Sequence, residues 1–213
     1  MNSLRQFIGR IRIQLRGKNQ VVGWNMTPVE ARGFFAAQGK TVLTLLGFSG
    51  SYESENALLQ TVREILLEYT PEKTLVNIGG TEGGIGAVYP VAKSLRFTTT
   101  GIVSTKALDE GAPISEAVDY VCFIADDQWG GKLPDSDELS PTSKAMVACS
   151  DVMIGIGGGE ISRDEMIAAK EQGRPVSFYP AELSHAEAIL RAKEAGLPQP
   201  KTFWGEAHEV FGK

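Results

Sequence analysis

Residues 151–165, DVMIGIGGGEISRDE, run from an apolar strand through three consecutive glycines into a helix carrying Ser162, Asp164 and Glu165. Without a Cβ, Gly157, Gly158 and Gly159 let the backbone turn sharply and approach a ligand, and the helix that follows points unpaired N–H groups at an anion. Ser162 adds a hydroxyl there. Strand, glycine turn and helix in this order form a phosphate cradle; the same order also describes a strand-to-helix turn that holds no ligand.

Two more glycine turns share that context. Residues 41–46 (TVLTLL) are a β-branched apolar run without clean alternation, as in a central parallel strand. They lead into GFSGSYES, where Gly47 and Gly50 permit the turn, Ser49 and Ser51 offer hydroxyls, and Ser54 caps a helix to about residue 69. The strand at 75–78 empties into GGTEGGIGAV, where Gly79, Gly80, Gly83, Gly84 and Gly86 crowd around Thr81 and Glu82. A tight turn, a close approach of backbone to ligand, and close helix packing are the physical uses of so many glycines. Pro90 falls inside the next helix and predicts a kink or a late first turn.

Further strands are expected at 98–104, 118–125 and 175–179. Further helices are expected at 141–150, 162–172, 181–195 and 203–211, with a loop and short helix over 105–117. Thr27 and Pro28 open an earlier helix, Thr27 as N-cap, Glu30 in the first turn and Gly39 as stop. Strands alternating with helices give an α/β fold, a doubly wound, mostly parallel sheet with helices on both faces. Residues 41–213 read as a single domain whose sheet is complete from Thr41, and 1–40 as a helical arm. Ligands of such sheets bind beyond the carboxyl ends of the strands at the switch point, where all three glycine turns lie.

Composition narrows the function. No apolar run in the 213 residues approaches the roughly 20 that a membrane span needs. A net charge of −5 argues against general nucleic-acid binding. Cys122 and Cys149 read as buried free thiols and no signal peptide is legible, so a cytoplasmic location is expected. Residues 1–18 differ: Arg5, Arg10, Arg12, Arg16 and Lys18 occur without an acid, and Leu4, Phe7, Ile8, Ile11 and Leu15 repeat at helical spacing. This basic amphipathic helix reads as an arm packing on its own domain or on a second subunit, or as a membrane-surface or targeting element. The polar loop at 126–141 reads as a lid or as a surface excursion. His185 and His208 fall on C-terminal helices away from the glycine turns, so neither a metal site nor a nucleophilic triad is expected.

Together LLGFSGS, LVNIGGTEGGIGAV and SDVMIGIGGGEISRDE resemble the Rossmann-like superfamily of the lysine-decarboxylase-like ("lonely guy") phosphoribohydrolases, the DNA-processing Smf proteins and the molybdenum-cofactor carriers, over about residues 41–179. The resemblance implies a nucleotide or nucleotide-derived ligand and a homo-oligomer. It sets Gly158 and Gly159 on the family's glycine pair, Ser162 on its threonine and Glu165 on its catalytic glutamate, while the motif's proline and second glycine are missing. The arginine that the enzymes carry on the preceding helix falls on Thr142, with Lys144 the nearest cation.

Three functions follow as expectations. The first is a sensor or carrier of a phosphorylated nucleoside. The second is an N-glycosidic hydrolase with Glu165 as acid or base and Glu82 assisting. The third is an interaction module recruited through the basic N-terminal helix. Glu82 also reads as a solvated loop carboxylate, and Asp164 and Glu165 as first-turn acids that complement a helix dipole.

Overall fold

The computed structural model describes residues 22–213, so the amphipathic stretch expected over residues 1–18 lies outside the described residues. Seven strands form one sheet: β1 (Val22–Met26), β2 (Thr41–Gly47), β3 (Thr74–Ile78), β4 (Thr98–Ser104), β5 (Tyr120–Ile124), β6 (Val152–Ile156) and β7 (Val176–Tyr179). Their order is β1-β5-β4-β3-β2-β6-β7, and every pairing is parallel. The helices are α1 (Pro28–Ala37), α2 (Glu55–Leu67), α3 (Tyr89–Ser94), α4 (Lys106–Asp109), α5 (Pro141–Cys149), α6 (Glu160–Glu171), α7 (His185–Glu194) and α8 (Glu206–Phe211). Among the described residues no helix is long and apolar enough to cross a membrane.

Helices cover both faces because alternate strand residues point to opposite sides. From β2, Leu43 and Leu45 pack with Leu58, Val62 and Ile65 of α2 and Tyr89 of α3, while Val42 and Leu46 pack with Phe34 and Phe35 of α1, Met146 of α5 and Met166 of α6. Leu43 and Leu45 are fully buried, and each such side chain stabilises the fold by about 1.5–3 kcal/mol. A polar row crosses the α5 face of the sheet. Asn77 donates to Thr44 Oγ1 at 3.2 Å, Thr100 donates to Asn77 Oδ1 at 3.2 Å, and Thr44 and Ser150 share a hydroxyl contact of 2.6 Å. Buried polar groups are tolerated when paired in this way.

Local signals set several boundaries as read. Glu30 N–H donates to Thr27 Oγ1 and Thr27 N–H to Glu30 Oε2, a capping box, and Gly39 with φ +63° ends the turn after α1. A 3-10 turn over Gly84–Val88 precedes α3, whose first turn holds Pro90, so that helix starts late. Two expectations are corrected. The sheet is not complete from Thr41, because β1 pairs with β5 as an edge strand and Trp24 stacks on Tyr120 with ring centroids 5.7 Å apart. The helix after the glycine triplet begins at Glu160 rather than Ser162, with Gly159 as its N-cap.

From β2 the chain passes through α2 to β3 on one side; from β5 it returns through α5 to β6 on the other. The connections diverge between β2 and β6, so the switch point lies at the carboxyl ends of these two strands.

Candidate functional site

Two of the three glycine turns flank that switch point, at Gly47–Ser51 and at Gly157–Gly159. Across it, Ser162 Oγ donates to Gly47 O at 2.9 Å. The Tyr52 hydroxyl donates to Ile156 O at 2.8 Å and accepts from Phe48 N at 3.0 Å, tying the ends of β2 and β6 together. Burial raises the Tyr52 phenol above its ordinary range, so it stays a neutral donor. A Cβ on Gly47 would overlap that hydroxyl, which explains this glycine by packing. Gly157 (φ +58°) and Gly158 (φ +126°) adopt backbone that favours glycine, and the Phe48 ring lies where a Gly157 side chain would go, 2.5 Å from its Cβ position. Gly159 is different. Its φ of −89° suits any residue, and its Cβ position is open except for Glu206 Oε2 at 3.4 Å. The N–H groups of Gly159, Glu160, Ile161 and Ser162 make no hydrogen bond among the described residues, as expected at a helix start.

The second glycine turn serves the chain itself. Gly84 (φ +57°) meets the first turn, its Cβ position 2.7 Å from Ser49 O, and Ile85 N–H donates to Phe48 O at 2.8 Å. Gly80 N–H donates to the buried Tyr89 hydroxyl at 3.0 Å, and Gly101 closes on Gly80 N. Thr81 bridges to Ile114, Gly83 lies against Ser49 O, and Glu82 is exposed with its N–H on Pro113 O at 3.0 Å. Only Gly79 has open space around its Cβ position among the glycines of this turn. Glu82 shares no partner with Glu165.

Glu165 is buried between α5 and α6, where Ser143 Oγ donates to its Oε1 at 2.6 Å and Gly131 N–H donates to the same Ser143 oxygen at 2.7 Å. Burial pushes the Glu165 carboxyl up to about 8 against the lowering effect of the Ser143 bond, with the Asp164 charge adding to the rise. It is therefore a neutral acid at neutral pH, able to donate a proton. The 126–141 loop covers it. Asp126 accepts from Thr142 N at 2.8 Å and Gln128 N at 2.9 Å, Ser140 N–H donates to Gly131 O at 2.7 Å, and Gly130 lies over Ser143 and Ile161. Thr142 is buried beside Asp126, and Lys144 is turned to the surface on Glu138 at 2.9 Å. Neither brings a cation to Glu165. The one half-buried cation on α6, Arg163, is held by Asp164 at 2.9 Å.

The C-terminal segment, expected away from the glycine turns, lies against them. Glu187 Oε2 accepts from Ser51 N at 2.7 Å, and Gly50 is closed in by Glu187 and Arg191. Ser184 N–H donates to Ser51 O at 2.8 Å, Ala181 O abuts Gly157, and Ala207 N–H donates to Gly158 O at 3.1 Å. His185 packs between Glu53, Glu182 and Phe203, its ring centroid 3.9 Å from that of Phe203. Among the described residues no group of three or more His, Cys, Asp or Glu is placed to hold a metal. The sequence reading missed Tyr52, Phe48, Glu187 and Glu206. The tyrosine and phenylalanine sit inside a motif already singled out; the two glutamates carry no local signal.

No protein-family model matches this sequence, and no curated protein matches it as a relative. Among solved structures it is similar to the structural-genomics target TM1055, at 18% identity over 64% of this chain and 72% of that one, with a TM-score of 0.46. It is also similar to the molybdenum cofactor carrier protein of Chlamydomonas reinhardtii, at 20% identity over 74% of this chain and 87% of that one, with a TM-score of 0.48. A second structure of that carrier gives 21% identity and a TM-score of 0.47, over 74% and 86% of the two chains. At these values nothing of the neighbours' ligands carries over. On its own strand order the chain has a Rossmann-like, doubly wound parallel α/β fold.

Proposed function

We propose that this protein binds a phosphorylated nucleoside or a related organic phosphate at the switch point between β2 and β6, as a sensor or carrier. The observation that carries the reading is the convergence there of the two glycine turns and the four unpaired N–H groups that open α6. An anion at that point satisfies donors that have no partner among the described residues, and the positive end of the α6 dipole favours it. Binding rather than turnover is supported by what surrounds Glu165: a serine, a covering loop, and a buried threonine where the resembling enzymes carry arginine. The reading is tested by calorimetry with AMP and ADP on the wild type and on Gly159→Val. That substitution is compatible with the backbone and fills the space before the α6 N–H groups. Loss of binding with the fold intact is expected; unchanged binding refutes this placement.

The neutral Glu165 favours a second reading, N-glycosidic cleavage with Glu165 as general acid. With no preorganised cation at Glu165 among the described residues, turnover is expected to be lower by about 100- to 1,000-fold than with one. Release of free base from nucleoside monophosphates that disappears in Glu165→Gln selects this reading.

A further inference from the structure

One of the two turns at the switch point is already met by a carboxylate of the same chain, and a second carboxylate stands beside the other. Glu187, from α7, takes the Ser51 N–H of the first turn at 2.7 Å. Glu206, at the start of α8, stands beside Gly159, where α6 opens. The two acids belong to one stretch, residues 181–211, that crosses the crevice and is shaped to lie close. Gly205 has φ +71°, and its Cβ position is 2.6 Å from the Phe48 ring and still closer to Gly158 O, so only glycine fits the crossing. Leu183 N–H donates to Phe203 O at 2.8 Å, joining the two ends of the stretch, and Ala207 N–H fastens it to Gly158 O. Its apolar hold on the rest of the molecule is modest: Ala181, Leu183 and Phe211 are partly buried against the two cores, and hydrogen bonds to Ser51, Glu53 and Gly158 supply the rest. Ala192 is the one buried residue of α7 and Ala207 the one buried residue of α8, while Leu190, Leu197 and Val210 are exposed. Elements with little buried apolar surface open at low free energy.

We propose that residues 181–211 are a built-in competitor for the switch-point site, with the Glu187 and Glu206 carboxylates standing where the anionic groups of the ligand bind. The proposal rests on the phosphate-site reading above and deepens it. A ligand must displace the segment, and it matches the site best when it brings two anionic groups, one for the Ser51 turn and one for the start of α6. Organic di- and pyrophosphates are therefore favoured over monophosphates. Neutralising the acids weakens the competitor without altering the turns that hold the ligand. The apparent affinity of a site that is free only part of the time rises as that fraction rises; a segment closed about 90% of the time masks affinity about tenfold.

Calorimetric titrations with AMP, ADP and inorganic pyrophosphate test this on the full chain, comparing the wild type with Glu206→Gln and with Glu187→Gln/Glu206→Gln. Hydrogen exchange of residues 181–211 is followed with and without ADP. The expected result is an affinity for ADP and pyrophosphate about tenfold higher in the double variant, a smaller gain in Glu206→Gln, and faster exchange of 181–211 when ADP is bound to the wild type. Equal affinities with exchange unchanged by ADP overturn the competitor while leaving the phosphate site standing. Absence of binding to every protein, the double variant included, overturns both. Glu206→Gln is isosteric and half-exposed, so it keeps the test open if the double variant folds poorly.

Discussion

Neutralising Glu165 should remove much of the pH dependence of this protein's stability. The carboxyl is buried and receives one hydrogen bond from Ser143, with no cation beside it among the described residues, and burial raises its value from 4.5 to about 8. Between those values the folded protein binds more protons than the unfolded chain. The stabilising contribution is thus complete below pH 4.5 and is lost as the pH climbs through about 8. One group titrating in this way changes stability by roughly 1.4 kcal/mol per pH unit, so between pH 5 and pH 8 it accounts for about 3 kcal/mol. Glu165→Gln keeps a carbonyl oxygen for the Ser143 hydroxyl and cannot titrate. Urea unfolding of both proteins at pH 5, 6, 7 and 8 reads the difference. At pH 5 the two should differ little beyond the side-chain exchange itself, and the variant should gain on the wild type by about 3 kcal/mol by pH 8. A gap that does not change with pH shows that Glu165 is ionised in the folded state, and the general-acid reading then fails with it.

Two other expectations concern the turns. Tyr52→Phe deletes the hydroxyl that bridges Phe48 N and Ile156 O and leaves a buried donor and acceptor unpaired; chemical denaturation should show a loss of about 1–3 kcal/mol, and a neutral change would mean that water replaces the hydroxyl. Gly84→Ala places a methyl group into the Phe48 and Ser49 backbone at positive φ and should lower the melting temperature strongly, whereas Gly79→Ala, with open space around it, should leave the melting temperature nearly unchanged; equal effects would undo the packing account of this turn.

The fold was legible because its signals are local. Thr27 and Glu30 close a capping box on each other, and TVLTLL needs no distant partner to read as a central strand. The strand VGWNM was not legible: Gly23 and Asn25 break its β character, and only pairing with β5, about a hundred residues away, makes it a strand. The candidate site shows the same division. Glycine in a sequence announces that some backbone or ligand comes close, but not which one. At Gly84 it is the Phe48–Ser49 backbone, at Gly157 the Phe48 ring, and at Gly158 the Ser162 side chain. Glu187 and Glu206 are likewise ordinary helix acids until the fold carries them to Ser51 and Gly159. Of the three glycines of the phosphate cradle, Gly157 and Gly158 are accounted for by the chain's own close approaches. Within that cradle the start of α6 stays open to a ligand, where Gly159 needs no special backbone and only a carboxylate stands nearby. A glycine unexplained by packing is better evidence for a ligand than three that packing explains.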